Sequence, residues 1–164
     1  MRDASIKNKF ENRGVVDMQE IPVNISLGLT MGTIAGTLFL IANLYVFFHL
    51  INQLVAPKKQ WKWLDKMRNR WHYVHYLGNA AAFIAALVHG VLMLQYASVF
   101  HGVLIAVMAW MVFAGFTMRF TKASLKFKKT LRIFHAKWYM FVIVLVLLII
   151  AHIASLGSFP YPLG

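Results

Sequence analysis

Seven histidines in 164 residues is a high density, and their positions say more than their number. His72, His75 and His89 lie along one apolar segment, and His135 and His152 lie along another. His89 and His152 sit deep in runs that contain no Asp, Glu, Lys or Arg. A neutral imidazole in such surroundings costs free energy unless something answers its polar nitrogens. Ionisable residues inside a bilayer are therefore functional by default. The spacing repeats: His72 to His89 is 17 residues, and so is His135 to His152. At ~1.5 Å per residue that is about 25 Å of helical rise. Two parallel helices built this way would offer one histidine pair near one membrane face and a second pair nearer the other. Imidazole suits haem iron, and bis-histidine ligation needs no cysteine. The chain has none. The chemistry this pattern points to is two haem b groups, each held between two imidazoles.

Helical phase narrows the choice of ligands. Seventeen residues at ~100° each fall about 100° short of five turns, so His72 and His89 do not share a face of a regular helix. His75 and His89 are 14 residues apart, about 40° short of four turns, and share a face much better. His75 and His89 are the expected pair on this helix, with His72 as the alternative. His135 has the same 17-residue problem against His152 and no partner at 14. It fits as a ligand if it lies in an interfacial turn ahead of its helix; His49, at the end of the first apolar run, is the alternative. The plainer reading is that these histidines only hydrogen-bond between helices. One isolated histidine would favour it, but the matched set does not.

The elements that must position these residues are membrane helices. Hydrophobic residues make up 60% of the chain and charged residues 13%, against about 25% charged in soluble domains. A spanning helix needs ~20 mostly apolar residues. Four runs qualify, at about Ile25–Ile51, Tyr73–Tyr96, Gly102–Met118 and Trp138–Leu156. The expected fold is an all-α integral membrane four-helix bundle over residues 24–164, preceded by a polar N-terminal tail over residues 1–23. That tail carries no secretory signal pattern. Pro22 suits the opening turn of the first helix. The absence of cysteine excludes disulfides, thiolate zinc sites and iron–sulfur ligation. The net charge of +12 would point to nucleic acid in a soluble protein. Here the cations cluster between apolar runs, and no nucleic-acid partner is expected.

The segment "RNRWHYVHYLGNAAAFIAALVHG" looks like a haem-ligand helix, and "LRIFHAKWYMFVIVLVLLIIAHI" looks like its partner. In this order of elements the chain resembles membrane b-type cytochromes: the four-helix core of cytochrome b and ferric-reductase-like transmembrane domains. The resemblance covers residues 25–157. It implies that His75 and His135 hold an inner haem and that His89 and His152 hold an outer one. Arg68, Arg70, Arg132 and Lys137 are placed to neutralise inner propionates. Gln95 and His101 are the polar side chains near the outer site. Gly28, Gly32 and Gly36 fall every fourth residue on one face of the first helix. They serve close helix packing or, by the resemblance, a flat surface against porphyrin.

The chain shows no Rossmann glycine fingerprint and no P-loop. The expected role is electron transfer as the membrane subunit of a respiratory-type redox complex, linked to a quinone pool, with substrate chemistry on other subunits. It is not read as a catalyst on its own. A rival reading is a haem-free or single-haem membrane anchor that docks a larger respiratory or photosynthetic complex. Another is a small transporter, for which Asn43 and Asn79 would line a polar path. The absence of carboxylates from the apolar runs counts against the transporter.

Orientation follows from the cations. Thirteen Lys and Arg lie in and beside two connections, at 58–70 and 119–137. The turn at 97–100 and the C-terminal segment hold none. The positive-inside rule then puts both basic connections in the cytoplasm and both termini outside, in the cytoplasmic membrane of a bacterium or archaeon. The same cations meet lipid head groups. Reporter fusions at Lys59 and Lys128 should score cytoplasmic, and one after Gly164 should score external. An external score at either lysine would reverse the orientation.

Overall fold

The structure, a computed structural model, describes residues 22–59 and 61–157. The N-terminal tail read from the sequence lies outside the described residues but for its last two positions. Five α-helices follow in order: α1 (Val23–Val55), α2 (Lys62–Leu92), α3 (Val99–Phe120), α4 (Leu125–His135) and α5 (Trp138–Leu156). Four of them, α1, α2, α3 and α5, are long and apolar enough to cross a membrane. The chain is an all-α four-helix bundle with one further short helix.

Local chemistry sets the boundaries. The Pro22 carbonyl accepts the amides of Ile25 and Ser26 at 2.9 and 3.0 Å and starts α1. Buried Asn52 holds the α1–α2 turn: its Nδ2 donates to the Lys59 carbonyl at 2.9 Å, and its Oδ1 accepts from the Trp61 amide at 3.0 Å. The second helix begins at Lys62, well before the apolar run that starts near Tyr73. Charged residues and tryptophans fill those first turns, because a helix can continue out of the bilayer once its backbone bonds are internal. It ends at Leu92, and a 3₁₀ turn (Leu94–Tyr96) leads towards α3.

The short α4 lies where the sequence reading had only a basic connection. Ser124 caps it by accepting the Phe127 amide at 3.3 Å. Lys128 Nζ donates to the Thr121 carbonyl at 2.7 Å and closes the end of α3. Phe127, Leu131 and Phe134 recur at helical spacing, with Leu131 buried and cations on the opposite side. An isolated 11-residue helix is marginal in water, so packing of its apolar face must supply the stability.

Close backbone packing joins α1 to α2, α2 to α3, and α3 to both α4 and α5. Helices α2 and α5 make no comparable packing. Large apolar side chains point outward throughout, among them Leu40 at 62%, Ile84 at 63% and Ile149 at 58% exposed. That is stable only where lipid is the solvent. A lipid-exposed bundle gains little from hydrophobic burial and instead packs through small residues. Ala42, Ala82, Ala114 and Ala151 are among the buried residues, and Leu104 and Val144 form a small core with Ala151. A Cβ added at Gly78 would stand 2.7 Å from the Ala42 Cβ, whereas one at Gly90 would meet nothing within 4 Å. Gly78→Ala should therefore cost about 1–3 kcal/mol, the usual range for overpacking. Gly90→Ala should be neutral. Unfolding in increasing SDS fractions measures both.

Candidate functional site

Two histidine pairs face each other across the space between the packed helices. In the first, the rings of His75 on α2 and His135 at the end of α4 have centres 6.2 Å apart and planes 76° apart. In the second, His89 on α2 and His152 on α5 also have ring centres 6.2 Å apart, with planes only 6° apart. His75 and His89 are 14 residues apart on one unbroken helix, about 21 Å of rise, so both can face the same gap. His72 has a tilted ring contact with Tyr76 at 6.4 Å, and His75 is the one that meets His135.

The position of His135 answers the phase problem. Helix α4 ends at His135, and α5 starts at Trp138. The intervening break, with its cap at Ala136, frees His135 from the rotational phase of His152. The segment that looked like a ligand helix is two helices, with His135 at the corner ahead of α5.

Three of the four rings are held through Nδ1, and the anchors differ. His89 Nδ1 lies 2.8 Å from the Gly28 carbonyl on α1. His152 Nδ1 lies 2.8 Å from the Leu148 carbonyl of its own helix. His75 Nδ1 lies 3.2 Å from the Ala42 carbonyl on α1. A carbonyl only accepts, so it favours the tautomer with the proton on Nδ1 and the lone pair on Nε2. That is how metal-ligating histidines are commonly oriented. His135 Nδ1 is buried with no partner. Burial first, and the nearby His75 second, push the His135 imidazole down to about 4, against an upward pull from the Met111 backbone. It is neutral at physiological pH, the form that binds metal.

The first pair opens onto a cavity of about 760 Å³, within the range of small-molecule and cofactor sites. Its walls include His49, His72, His75 and His135. Three cations, Arg119, Arg132 and Lys137, also line it. Arg132 and Lys137 were expected there. Arg68 and Arg70, expected with them, are not among its described lining residues. Arg119 was missed, although it ends α3 one turn from Gly115 and stands 6.0 Å from the Tyr73 ring centre. His49 lies 3.2 Å from Gln53 Nε2 through its own Nε2, and its Nδ1 is buried and unpartnered. It is a wall residue, while His135 takes the position opposite His75.

Glycines shape both pairs. A Cβ at Gly32 would lie 2.8 Å from His89 Nδ1, and one at Gly115 would lie 3.2 Å from His135 Cε1. Gly28 meets Met93 and Leu92 instead, and a Cβ at Gly36 would meet nothing within 4 Å. Two glycines of the α1 stripe thus receive the end of α2, and Gly36 borders open space. Gly115 was not singled out from the sequence. Its only signal is the small Ala114–Gly115 step in an otherwise bulky stretch of α3.

At the second pair, His101 has a ring centre 5.4 Å from that of His152. The Ser98 amide donates to His101 Nδ1 at 3.1 Å, so His101 helps to cap α3 and its neutral form carries the proton on Nε2. Among the described residues no group of three or more His, Cys, Asp or Glu gathers to hold a bare metal ion. The arrangement is of pairs. Gly32→Ala should push the His89 ring off its Gly28 anchor and cost about 1–3 kcal/mol, the usual range for overpacking. Gly102→Ala, with nothing within 4 Å, should leave stability unchanged. Unfolding of the two variants in increasing SDS fractions makes the comparison.

No family model, curated protein or solved structure matches this chain.

Proposed function

We propose that this chain is a b-type cytochrome subunit of a membrane redox complex, binding one haem at His75–His135 and one at His89–His152 and moving electrons across the bilayer. The observation that carries the reading is the shared ring separation of 6.2 Å in both pairs. A metal–imidazole bond is about 2.0–2.1 Å, and a ring centre lies roughly 1.1 Å behind its nitrogen, so two imidazoles sharing one metal have centres about 6.3 Å apart. The carbonyls at Ala42, Gly28 and Leu148 take the Nδ1 side of three of the four rings, leaving Nε2 for a ligand.

When bound, haem iron alternates between ferrous and ferric and so carries one electron at a time. The rest is done by the chain. His75 with His135 and His89 with His152 would each hold one haem through two protein ligands, which would suit electron transfer and not substrate binding. Arg119, Arg132 and Lys137 offer charge partners for carboxylates at the cavity. With both basic connections in the cytoplasm, His75–His135 is the inner site. Exchange with a quinone pool and docking to catalytic subunits complete the reading. The absence of carboxylates from the apolar runs leaves proton movement to those partners.

The purified chain should carry two haems, with a low-spin reduced-minus-oxidised spectrum. His89→Ala and His152→Ala should lose the same haem and keep the other, since each removes half of one site. The two haems should also differ by EPR when oxidised. Ring planes 6° apart give a rhombic low-spin signal, and planes near perpendicular, as at 76°, give a strongly anisotropic one. Loss of different haems in the two variants would break the pairing. A chain with no haem absorbance would be a membrane anchor.

A further inference from the structure

Two amides lie inside the apolar helices beside the inner pair. Asn43 on α1 is buried at 6% exposure. Its Nδ2 donates to the Phe39 carbonyl at 2.8 Å and to Asn79 Oδ1 at 2.8 Å. Asn79 Nδ2 donates to the His75 carbonyl at 2.7 Å and lies 3.1 Å from His75 Nδ1. Two backbone carbonyls, which only accept, orient both amides. The Asn43 atom at Phe39 must be nitrogen, and so must the Asn79 atom at the His75 carbonyl. The group that Asn79 turns to the imidazole is therefore an N–H.

His75 Nδ1 thus has two competing neighbours. Ala42 offers a carbonyl at 3.2 Å, which needs a proton on Nδ1. Asn79 offers a donor at 3.1 Å, which needs a lone pair there. One nitrogen cannot satisfy both. With the proton on Nδ1, Nε2 is free to bind metal. With the lone pair on Nδ1, Nε2 carries the proton and cannot. The hydrogen bonds at His89 and His152 hold no such conflict, since each Nδ1 meets a carbonyl at 2.8 Å. A strong Nδ1–H···O=C bond makes an imidazole a better electron donor to its metal, and a better donor favours the ferric state.

We propose that Asn79, oriented by Asn43, is a positioning residue that weakens the His75–Ala42 hydrogen bond and so sets the inner haem at a higher reduction potential than the tether alone would give. The inference rests on the haem reading above. Asn79 touches neither iron nor substrate and acts only through His75.

The test is a redox titration of the haem-loaded chain, with the inner component identified as the one lost in His135→Ala. Asn79→Leu keeps the volume and removes the donor. It should lower the inner midpoint by an amount equal to about a tenfold change in the ratio of reduced to oxidised haem, or about 59 mV for one electron. Asn79→Asp replaces the donor with an acceptor and should move the same component further in the same direction. The outer midpoint should stay within a twofold change of that ratio in both. An inner midpoint that stays put or rises in Asn79→Leu, with both haems retained, overturns the proposal. So does an equal shift of both components, or loss of the inner haem from both variants, since either marks a purely structural amide. Absence of haem from the unmodified chain is a separate result. It removes the haem reading itself, together with the tuning built on it.

Discussion

A neutral imidazole in hydrocarbon must have both its nitrogens answered, and the described part of this bundle is arranged around that requirement. Three of the four paired histidines meet a backbone carbonyl through Nδ1. Two of those carbonyls, at Gly28 and Ala42, belong to α1, so α1 serves both pairs without supplying a histidine to either. The carbonyls are already engaged in the helix ladder and use a second lone pair for the histidine. The anchoring therefore needs no break in α1, only close approach. Gly32 gives that approach at His89. The Gly78–Ala42 contact gives it one turn from His75. Small residues here do more than let helices touch. They put a carbonyl within hydrogen-bond reach of a ring on the next helix.

The same requirement explains why α2 and α5 stand apart. Backbone packing runs from α1 to α2 and from α3 to α5, while the histidine-bearing faces of α2 and α5 look at one another across ring-sized separations. A bundle of Leu and Ala alone would close such a gap, since dispersion contacts are lost wherever atoms lack neighbours. Side chains at both ends resist closure. At one end α4 turns His135 inwards from a separate helix, and at the other the Ser98 cap sets His101 beside His152.

Much of this was legible in the sequence, and the reasons are physical. Charge-free runs of about 20 residues have one stable form in lipid, which is why all four spans and the all-α class could be read. The 14-residue phase singled out His75 over His72 because α2 is regular between His75 and His89. The same arithmetic on His135 gave a misfit, which pointed to a turn ahead of its helix. The corner at Ala136–Lys137 carries no proline or glycine, so nothing local announced it. Helix α4 was hidden for a related reason. Its cations dominate the composition of the connection, and its apolar stripe of Phe127, Leu131 and Phe134 is only three residues wide. The cations illustrate the limit of proximity in sequence. Arg68 and Arg70 lie within seven residues of His75 but on turns of α2 that project beyond the cavity, while Arg119 reaches it from the end of α3.

The two pairs, similar in ring spacing, sit in unlike electrostatic surroundings. The inner one shares a cavity with Arg119, Arg132 and Lys137. The outer one has His101 close by and no Lys or Arg in the turn from Ala97 to Phe100. Positive charge near a redox centre favours the state with the extra electron, and low dielectric strengthens the effect. The neutral amide of Asn79 at His75 acts in the same direction. In the proposed haem pair, charge and hydrogen bonding would therefore both favour the electron at His75–His135. The bias is built from parts that topology already requires. Arg119, Arg132 and Lys137, which line the cavity at His75–His135, are also among the cations from which the sequence reading takes its orientation, so one set of side chains serves both the proposed topology and the proposed bias.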